Sequence, residues 1–522
     1  MRRSRKLTRR RRAIVPDKAG TRMGFDLDSS QRQLLGYRLI DRIDEYFSSL
    51  RDRPVQPPAG QRGALPVPND LPEIGEDAAA VLDDLCSQMM EQGFHVPSAN
   101  YFGLTNPTPT YMSVLAEALV AALNPQLASM ARSQLASTIE HRTIGWIAQR
   151  VGWQAGEYGG TFTTGGTEAN LSAMAVALTQ RYPQVANDGL IGLGRRPVVY
   201  ASSEAHHSIE KSLAILGLGR KALRRIQVTE RAEMDLPALE AAIAADRQAG
   251  LEPLAIVGTA GATSSGAIDP LPELAEICRL RNLWFHVDGA YGAALVFSNR
   301  HRGLVRGIEL ADSIAIDPHK WLAMPFAAGV FLTRHPEQLE PTFGLDTSYL
   351  PRAANSSLPD NFRISAQWSR RMNSLKFWLT LRVHGRQAYE ELIDSQMQLA
   401  AYMESRILDT RAFDLATPRR LTVLNFRACA ARELALPEDE IARLHQAIVQ
   451  ETTRDGEQWI STTRVAGRSV LRMMIVSYLT EKRHIDALAV KLQQAAKTVM
   501  EHSYGATSRL SCRPERKSQP RL

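Results

Sequence analysis

The chain has 522 residues, 44% hydrophobic and 23% charged, with a formal net charge of +8. That length and composition fit a soluble globular protein of two or three structural units packed around one large domain. The positive charge suggests a nucleic-acid partner only until it is located, because residues 1–12 hold eight Lys or Arg, residues 503–522 hold five basic residues against one Glu, and the remainder is mildly acidic.

Residues 1–25 therefore read as a basic, disordered, solvated tail. Ala13-Ile-Val-Pro16 is too short for the apolar core of a signal peptide. Ser29 to Arg51 has apolar residues at helical spacing, including Leu35, Leu39, Ile43 and Phe47. A link dense in Pro and Gly follows, from Pro54 to Pro68, and reads as an extended arm. Helical spacing returns from Glu73 to Gln92, and a Pro- and Thr-rich loop spans Asn100 to Thr110, closing an N-terminal helical segment, residues 26–110. Residues 111–375 alternate: apolar runs Val198 to Ala201, Leu254 to Gly258, Trp284 to Val287, Ser313 to Ile316 and Gly329 to Leu332 read as buried strands. Helical stretches such as Ala169 to Leu178 and Leu236 to Ala245 lie among them. This pattern predicts a mostly parallel sheet with helices on both faces.

Residues 376–502 change character. A long helix from Leu375 to Met403 precedes strand-like Leu421 to Phe426, a helix Asp439 to Thr452, strand-like Val470 to Ser477 and a helix His484 to Met500, which together predict a smaller α+β domain. Residues 503–522 form a second basic tail. No stretch approaches the ~20 apolar residues of a membrane span. Cys86, Cys278, Cys429 and Cys512 are scattered without paired spacing, which favours a reducing cytoplasm.

Ligands of parallel sheets bind beyond the strand carboxyl ends, and the chemically suggestive residues fall there. Thr161-Phe-Thr-Thr-Gly-Gly-Thr-Glu-Ala-Asn170 passes through two glycines into a helix, either an ordinary turn or a phosphate cradle in which Gly166 and Thr167 offer helix-start N–H groups and a hydroxyl. His206, just after the first buried run, is either a surface residue or a group stacked on a flat ligand. Thr263 either fixes a turn or offers its hydroxyl to a ring oxygen. Asp288 ends a buried run, where a carboxylate needs a cation such as a protonated pyridine nitrogen, and the small Gly289 and Ala290 leave room for a flat ring. Lys320, in Asp317-Pro-His-Lys-Trp321, can form an imine with an aldehyde once it sheds its proton. Lysine, carboxylate and phosphate cradle together describe a pyridoxal phosphate (PLP) site.

On Asp-Pro-His-Lys-Trp, with His286-Val-Asp-Gly-Ala-Tyr-Gly292 upstream, the chain resembles the group II PLP-dependent decarboxylases, which act on aromatic amino acids, glutamate or cysteine sulfinate. The resemblance spans roughly Asp26 to Ala495. It implies an α/β protein of PLP-transferase fold type I, with a mostly parallel large-domain sheet, an N-terminal helical layer and a small C-terminal α+β domain. It also implies that Lys320 carries the cofactor, Asp288 pairs with the pyridine nitrogen and His206 stacks on the ring. By the same likeness Gly166 and Thr167 hold the phosphate, Thr263 and Ala290 touch the ring, and His319 lies beside Lys320. Phe343-Gly-Leu-Asp-Thr-Ser-Tyr-Leu350 resembles the family's catalytic loop, with Tyr349 where a tyrosine returns the proton to Cα. Relatives with Phe there tend to make aldehydes, so Tyr349 favours an amine product. Thr105, Pro107 and Thr108 fall in the segment that lines the substrate.

The expected reaction is decarboxylation of an L-amino acid, an aromatic one by the overall pattern, in a cytoplasmic homodimer with neither nucleic-acid nor membrane partner. An acidic substrate would need a cation, and Arg370 and Arg371 are either that cation or structural. Another fold-type I lyase or an aldehyde synthase is the further alternative. Asp317 departs from the Asn common in aromatic decarboxylases; beside a phosphate it would be repelled, so it should turn toward backbone N–H groups or a nearby base.

Overall fold

The structure is a computed structural model, and it describes residues 25–61, 67, 70–348 and 358–504. The expected tails lie outside these residues except for Phe25 and 503–504, as do parts of the Pro- and Gly-rich link and Tyr349.

The described residues fall into two compact units. One contains two helices, α1 (Ser29–Ser49) and α2 (Ala78–Gln92). Asp77 caps α2 by accepting from the Ala80 N–H, and Arg38 of α1 pairs with Asp83 of α2 at 2.8 Å. Neither helix has a buried residue, and Leu34, Tyr37, Leu85 and Met89 are exposed.

The second unit, residues 50–63 and 94 onward, contains everything else. Helices α3 (Tyr111–Leu123) and α4 (Met130–Val151) lead into the large sheet. Its strands are β1 (Gly159–Thr163), β2 (Pro197–Ser202), β3 (Leu223–Ile226), β4 (Glu252–Thr259), β5 (Trp284–Asp288), β6 (Ser313–Ile316) and β7 (Gly329–Thr333). Among the described residues the order is β1-β7-β6-β5-β4-β2-β3. β7 is antiparallel to both its neighbours, and every other pairing is parallel, so β7 alone runs against the other six. Helix α5 (Gly166–Arg181) follows β1. β2, β4 and β5 are buried along nearly their whole length, as near-continuous apolar runs covered on both faces must be. Ile256, Phe285, Val287 and Trp321 belong to the largest apolar core.

A 36-residue helix, Ser374–Asp409, leads to the smaller sheet and is interrupted at Gly385, whose φ of 75° suits glycine. That sheet is antiparallel, ordered β10-β11-β9-β8, with β8 Phe413–Leu415, β9 Val423–Ala428, β10 Ser461–Val465 and β11 Arg468–Met474. Helices Glu438–Thr452 and Lys482–Tyr504 cover it through Leu444, Ile448 and Leu488. Among the described residues no helix is long and apolar enough to cross a membrane. Cys86 and Cys278 are free thiols.

Candidate active site

Because β7 alone is reversed, β1, β2, β4, β5 and β6 deliver their carboxyl ends to one edge of the sheet. β1 turns through Gly165 into α5, whose start has no side-chain cap, so first-turn N–H groups at Gly166 and Thr167 face outward for an anion. The turn requires bare backbone: a Cβ on Gly166 would lie 2.9 Å from Asp317 Oδ2 and 3.1 Å from the Ala290 methyl. β2 leads to His206, β4 to Gly261 and Thr263, β5 ends on Asp288, and β6 leads to Asp317, His319 and Lys320. All of these side chains, with Ala290, Thr105 and Phe326, line one cavity of about 390 Å³. That is within the usual range for small-molecule sites, about 300–1,000 Å³.

A larger groove of about 780 Å³ lies at the opposite, amino-terminal edge. Its charged groups already answer one another, with Asp312 2.8 Å from His335, Arg279 paired with Glu276 and Arg181 with Glu252. It has no counterpart to the convergence at the carboxyl ends.

Asp288 is held from two sides: Oδ1 accepts from the Ala290 N–H at 3.2 Å and Oδ2 from the Asn170 amide at 2.9 Å. Lys320 Nζ lies 3.1 Å from Asp317 Oδ2, and His319 Nε2 lies 3.4 Å from the same oxygen. Burial alone would raise the Asp317 carboxyl, but Lys320 and His319 hold it below the ordinary range. Asp317 therefore turns to the nearby bases. Among the described residues its other oxygen, also buried, has no hydrogen-bond partner. His319 is fixed by the Ala328 N–H, which donates to Nδ1 at 2.9 Å, and its ring lies 4.6 Å from that of Phe326. Burial lowers the His206 imidazole below the ordinary histidine range; Asp288 opposes this and Lys320 adds to it.

Behind the cavity, Arg472 of β11 is 2% exposed and donates Nε to the Thr263 carbonyl and Nη1 to the Gly103 carbonyl. One guanidinium thus latches the loop that carries Thr263 to the segment that carries Thr105. Burial pushes it down to about 10.

The structure gathers Lys320, Asp288, His206, Gly166, Thr167, Thr263, Ala290, His319 and Thr105 around one space. It does not bring Pro107 or Thr108 there. Both are buried, and the Thr108 hydroxyl donates to the Pro97 carbonyl and bonds Ser477, so it ties down the segment. Arg370 and Arg371 are also elsewhere: Arg370 is 3% exposed against Glu140, and Arg371 pairs with Glu117. Tyr349 lies outside the described residues. Asn170, Ser208, Thr259 and Phe326 also line the cavity and went unread in the sequence, although Asn170 ends the glycine-bearing run that drew notice.

The donor set fits PLP. The α5 start suits a phosphate, Asp288 a cationic ring nitrogen, Lys320 an aldehyde and Ala290 a flat ring, while the glycine cradle has no room for a side chain.

Residues 62–429 match the family model described as the pyridoxal-dependent decarboxylase conserved domain. Over 480 residues the chain is 30% identical to an aromatic-L-amino-acid decarboxylase of Bacillus atrophaeus, covering 91% of this chain and 97% of that protein. Over 472 residues it is 26% identical to a 4-hydroxyphenylacetaldehyde synthase of Rhodiola rosea, covering 88% and 94%. The crystal structure of Oryza sativa TDC with PLP and tryptamine matches with a TM-score of 0.85 at 25% identity, covering 91% of this chain and 99% of that one.

Proposed function

The chain belongs to the pyridoxal-dependent decarboxylase family, PLP enzymes of fold type I acting on amino acids, and from that membership we propose that its substrate is an aromatic L-amino acid, released as the amine. The observation that carries the reading is the meeting of Lys320, Asp288 and the α5 start in one cavity. When bound, PLP supplies an aldehyde for the substrate amine and a cationic ring that draws electrons from the bond to the departing carboxylate. Lys320 would hold the cofactor through Nζ, with His319 beside it. Asp288, oriented by Asn170 and the Ala290 N–H, would keep the ring nitrogen protonated. Gly166 and Thr167 would hold the phosphate, Thr263 and Ala290 would touch the ring, and His206 would cover its face and restrict its movement. Tyr349, outside the described residues, would supply the proton that the substrate Cα needs once carbon dioxide has left.

The aromatic substrate is supported by the lining. Among the described residues it holds Phe326 and His319 but no Arg, and no Lys besides Lys320. Carbon dioxide release from tryptophan, tyrosine, phenylalanine, glutamate, cysteine sulfinate and 2,4-diaminobutyrate tests this, with products identified by mass spectrometry. Turnover confined to the aromatic substrates, with amine equal to carbon dioxide, is expected. Preference for an acidic substrate overturns the substrate reading, and aldehyde with ammonia and peroxide overturns the reaction type. A visible absorption band lost in Lys320→Ala checks the lysine itself.

The active form is a homodimer in this reading, supported by the apolar side chains of Leu34, Tyr37, Leu85 and Met89 that α1 and α2 leave exposed. Large and small domains of residues 111–375 and 376–502 complete the proposed organisation. A cytoplasmic location is supported by the free thiols of Cys86 and Cys278, and cell fractionation tests it.

A further inference from the structure

A chain of hydrogen bonds behind the cavity has its direction fixed by groups that can act in only one way. Asn170 is 1% exposed and joins three partners. A carboxylate accepts and does not donate, so the nitrogen of the Asn170 amide must face Asp288 Oδ2, at 2.9 Å. The same nitrogen then gives its second hydrogen to Ser208 Oγ at 2.8 Å, and the amide oxygen accepts from His286 Nε2 at 2.8 Å. At the far end the Trp284 indole, a donor only, gives its hydrogen to Ser313 Oγ at 2.8 Å, which leaves the Ser313 hydroxyl hydrogen for His286 Nδ1 at 2.9 Å. The Ser313 carbonyl also lies 3.1 Å from that nitrogen and would suit a charged ring, but burial holds His286 well below the usual histidine range.

The near end decides the state of His206. Ser208 Oγ already accepts from Asn170, and its own hydrogen is free to point at His206 Nδ1, 2.9 Å away. The backbone N–H of Ser208, which cannot reverse, donates to the same ring nitrogen at 3.2 Å. At 3.2 Å this is the longer of the two bonds, so it favours a bare Nδ1 without fixing the tautomer alone, and the hydroxyl supplies the rest.

We propose that Asn170 and Ser208 are positioning residues that lock His206 as the tautomer with its hydrogen on Nε2, so that the ring offers the cavity a neutral donor instead of a base. The inference rests on the proposed PLP decarboxylase reading only in what that donor meets, the carboxylate of an amino-acid substrate. Asn170 couples two tasks, because the amide nitrogen that orients Ser208 also aims Asp288. A histidine held this way cannot take a proton through Nε2, and its other nitrogen is covered.

The test uses the full-length protein without cofactor, labelled with 15N-histidine, so that it does not depend on which reaction the enzyme performs. The His206 signals are assigned by their loss in His206→Gln. The expected spectrum has the hydrogen on Nε2 near pH 7. Asn170→Leu frees the Ser208 hydroxyl to rotate, so a population with hydrogen on Nδ1 appears, and PLP binding weakens by about tenfold, the worth of one hydrogen bond to a charged group. Ser208→Ala shifts the tautomer in the same direction and Ser208→Thr, which restores the hydroxyl, returns it. A wild-type spectrum with hydrogen on Nδ1, or freely exchanging between the nitrogens, overturns the proposal, as does an unchanged tautomer in both Asn170→Leu and Ser208→Ala. Should Asn170→Leu fail to fold, the Ser208 pair decides alone. A wrong decarboxylase assignment would show instead in the product analysis, with these spectra unaffected.

Discussion

Replacing Arg370 by Met separates a structural role for this arginine from a substrate role. Arg370 and Glu140 of α4 are 3% and 1% exposed, with Nη1 2.5 Å from Oε1. Nη1 also donates to the Thr161 hydroxyl and the Phe162 carbonyl, and Glu140 accepts the Phe162 N–H at 3.2 Å, so the pair grips β1 from both sides. Met preserves most of the volume but leaves Glu140 as a buried, uncompensated charge, which should destabilise by about 3–5 kcal/mol. Adding Glu140→Gln removes that charge, so the double variant should recover much of the loss, and the two single losses should not add. Urea unfolding followed by tryptophan fluorescence measures the cycle on the first cooperative transition. Michaelis constants at a urea-free temperature where the variant stays folded should be unchanged. The reasoning fails if Arg370→Met loses less than about 1 kcal/mol, or if it selectively raises KM for an acidic amino acid.

Asp269 is wholly buried and burial pushes it up to about 6, despite N–H bonds from Thr259 and Met234. Its folded value stands above the unfolded one of about 3.9. Its contribution is therefore complete below pH 4 and lost as pH rises through 6, on the order of 2–3 kcal/mol. Asp269→Asn should flatten that part of the stability profile, and equal slopes in both proteins would remove Asp269 as its source. Gly166→Ala brings a methyl against Asp317 and Ala290 and should weaken PLP binding by about tenfold or more with circular dichroism unchanged; wild-type affinity would contradict the cradle. Tyr349→Phe should divert product from amine to aldehyde, and unaltered amine formation removes Tyr349 from proton delivery. Leu85→Glu in α2 should shift sedimentation toward monomer if its exposed face is the dimer surface, and an undisturbed dimer places the interface elsewhere.

The strand ends were legible because β2, β4, β5, β6 and β7 are fully or nearly buried and so read as unbroken apolar runs. β3 escaped notice because Leu223-Arg-Arg-Ile226 is an edge strand whose centre is charged, with Arg225 exposed and Arg224 paired with Asp246. The reversal of β7 left no trace, since a buried run looks alike in either direction. The Ser374–Asp409 helix was foreseen too short and without its interruption at Gly385, because helical spacing resumes on both sides of that residue. Within the cavity, Lys320 and Asp288 could be picked out by their chemistry at a strand end. Asn170 could not, because its importance lies in partners up to 118 residues away. Thr108 misled for the opposite reason: a hydroxyl in the right segment was already bonded to Pro97 and Ser477.

The latch made by Arg472 sets an order of assembly. Every described residue that lines the cavity lies between Thr105 and Phe326, so all of them have been synthesised long before β11. Until residue 472 emerges, nothing joins the Gly103 and Thr263 carbonyls, which lie 369 and 209 residues before it. A nascent chain stopped short of β11 would carry the described lining of the cavity without the guanidinium that ties its two walls together.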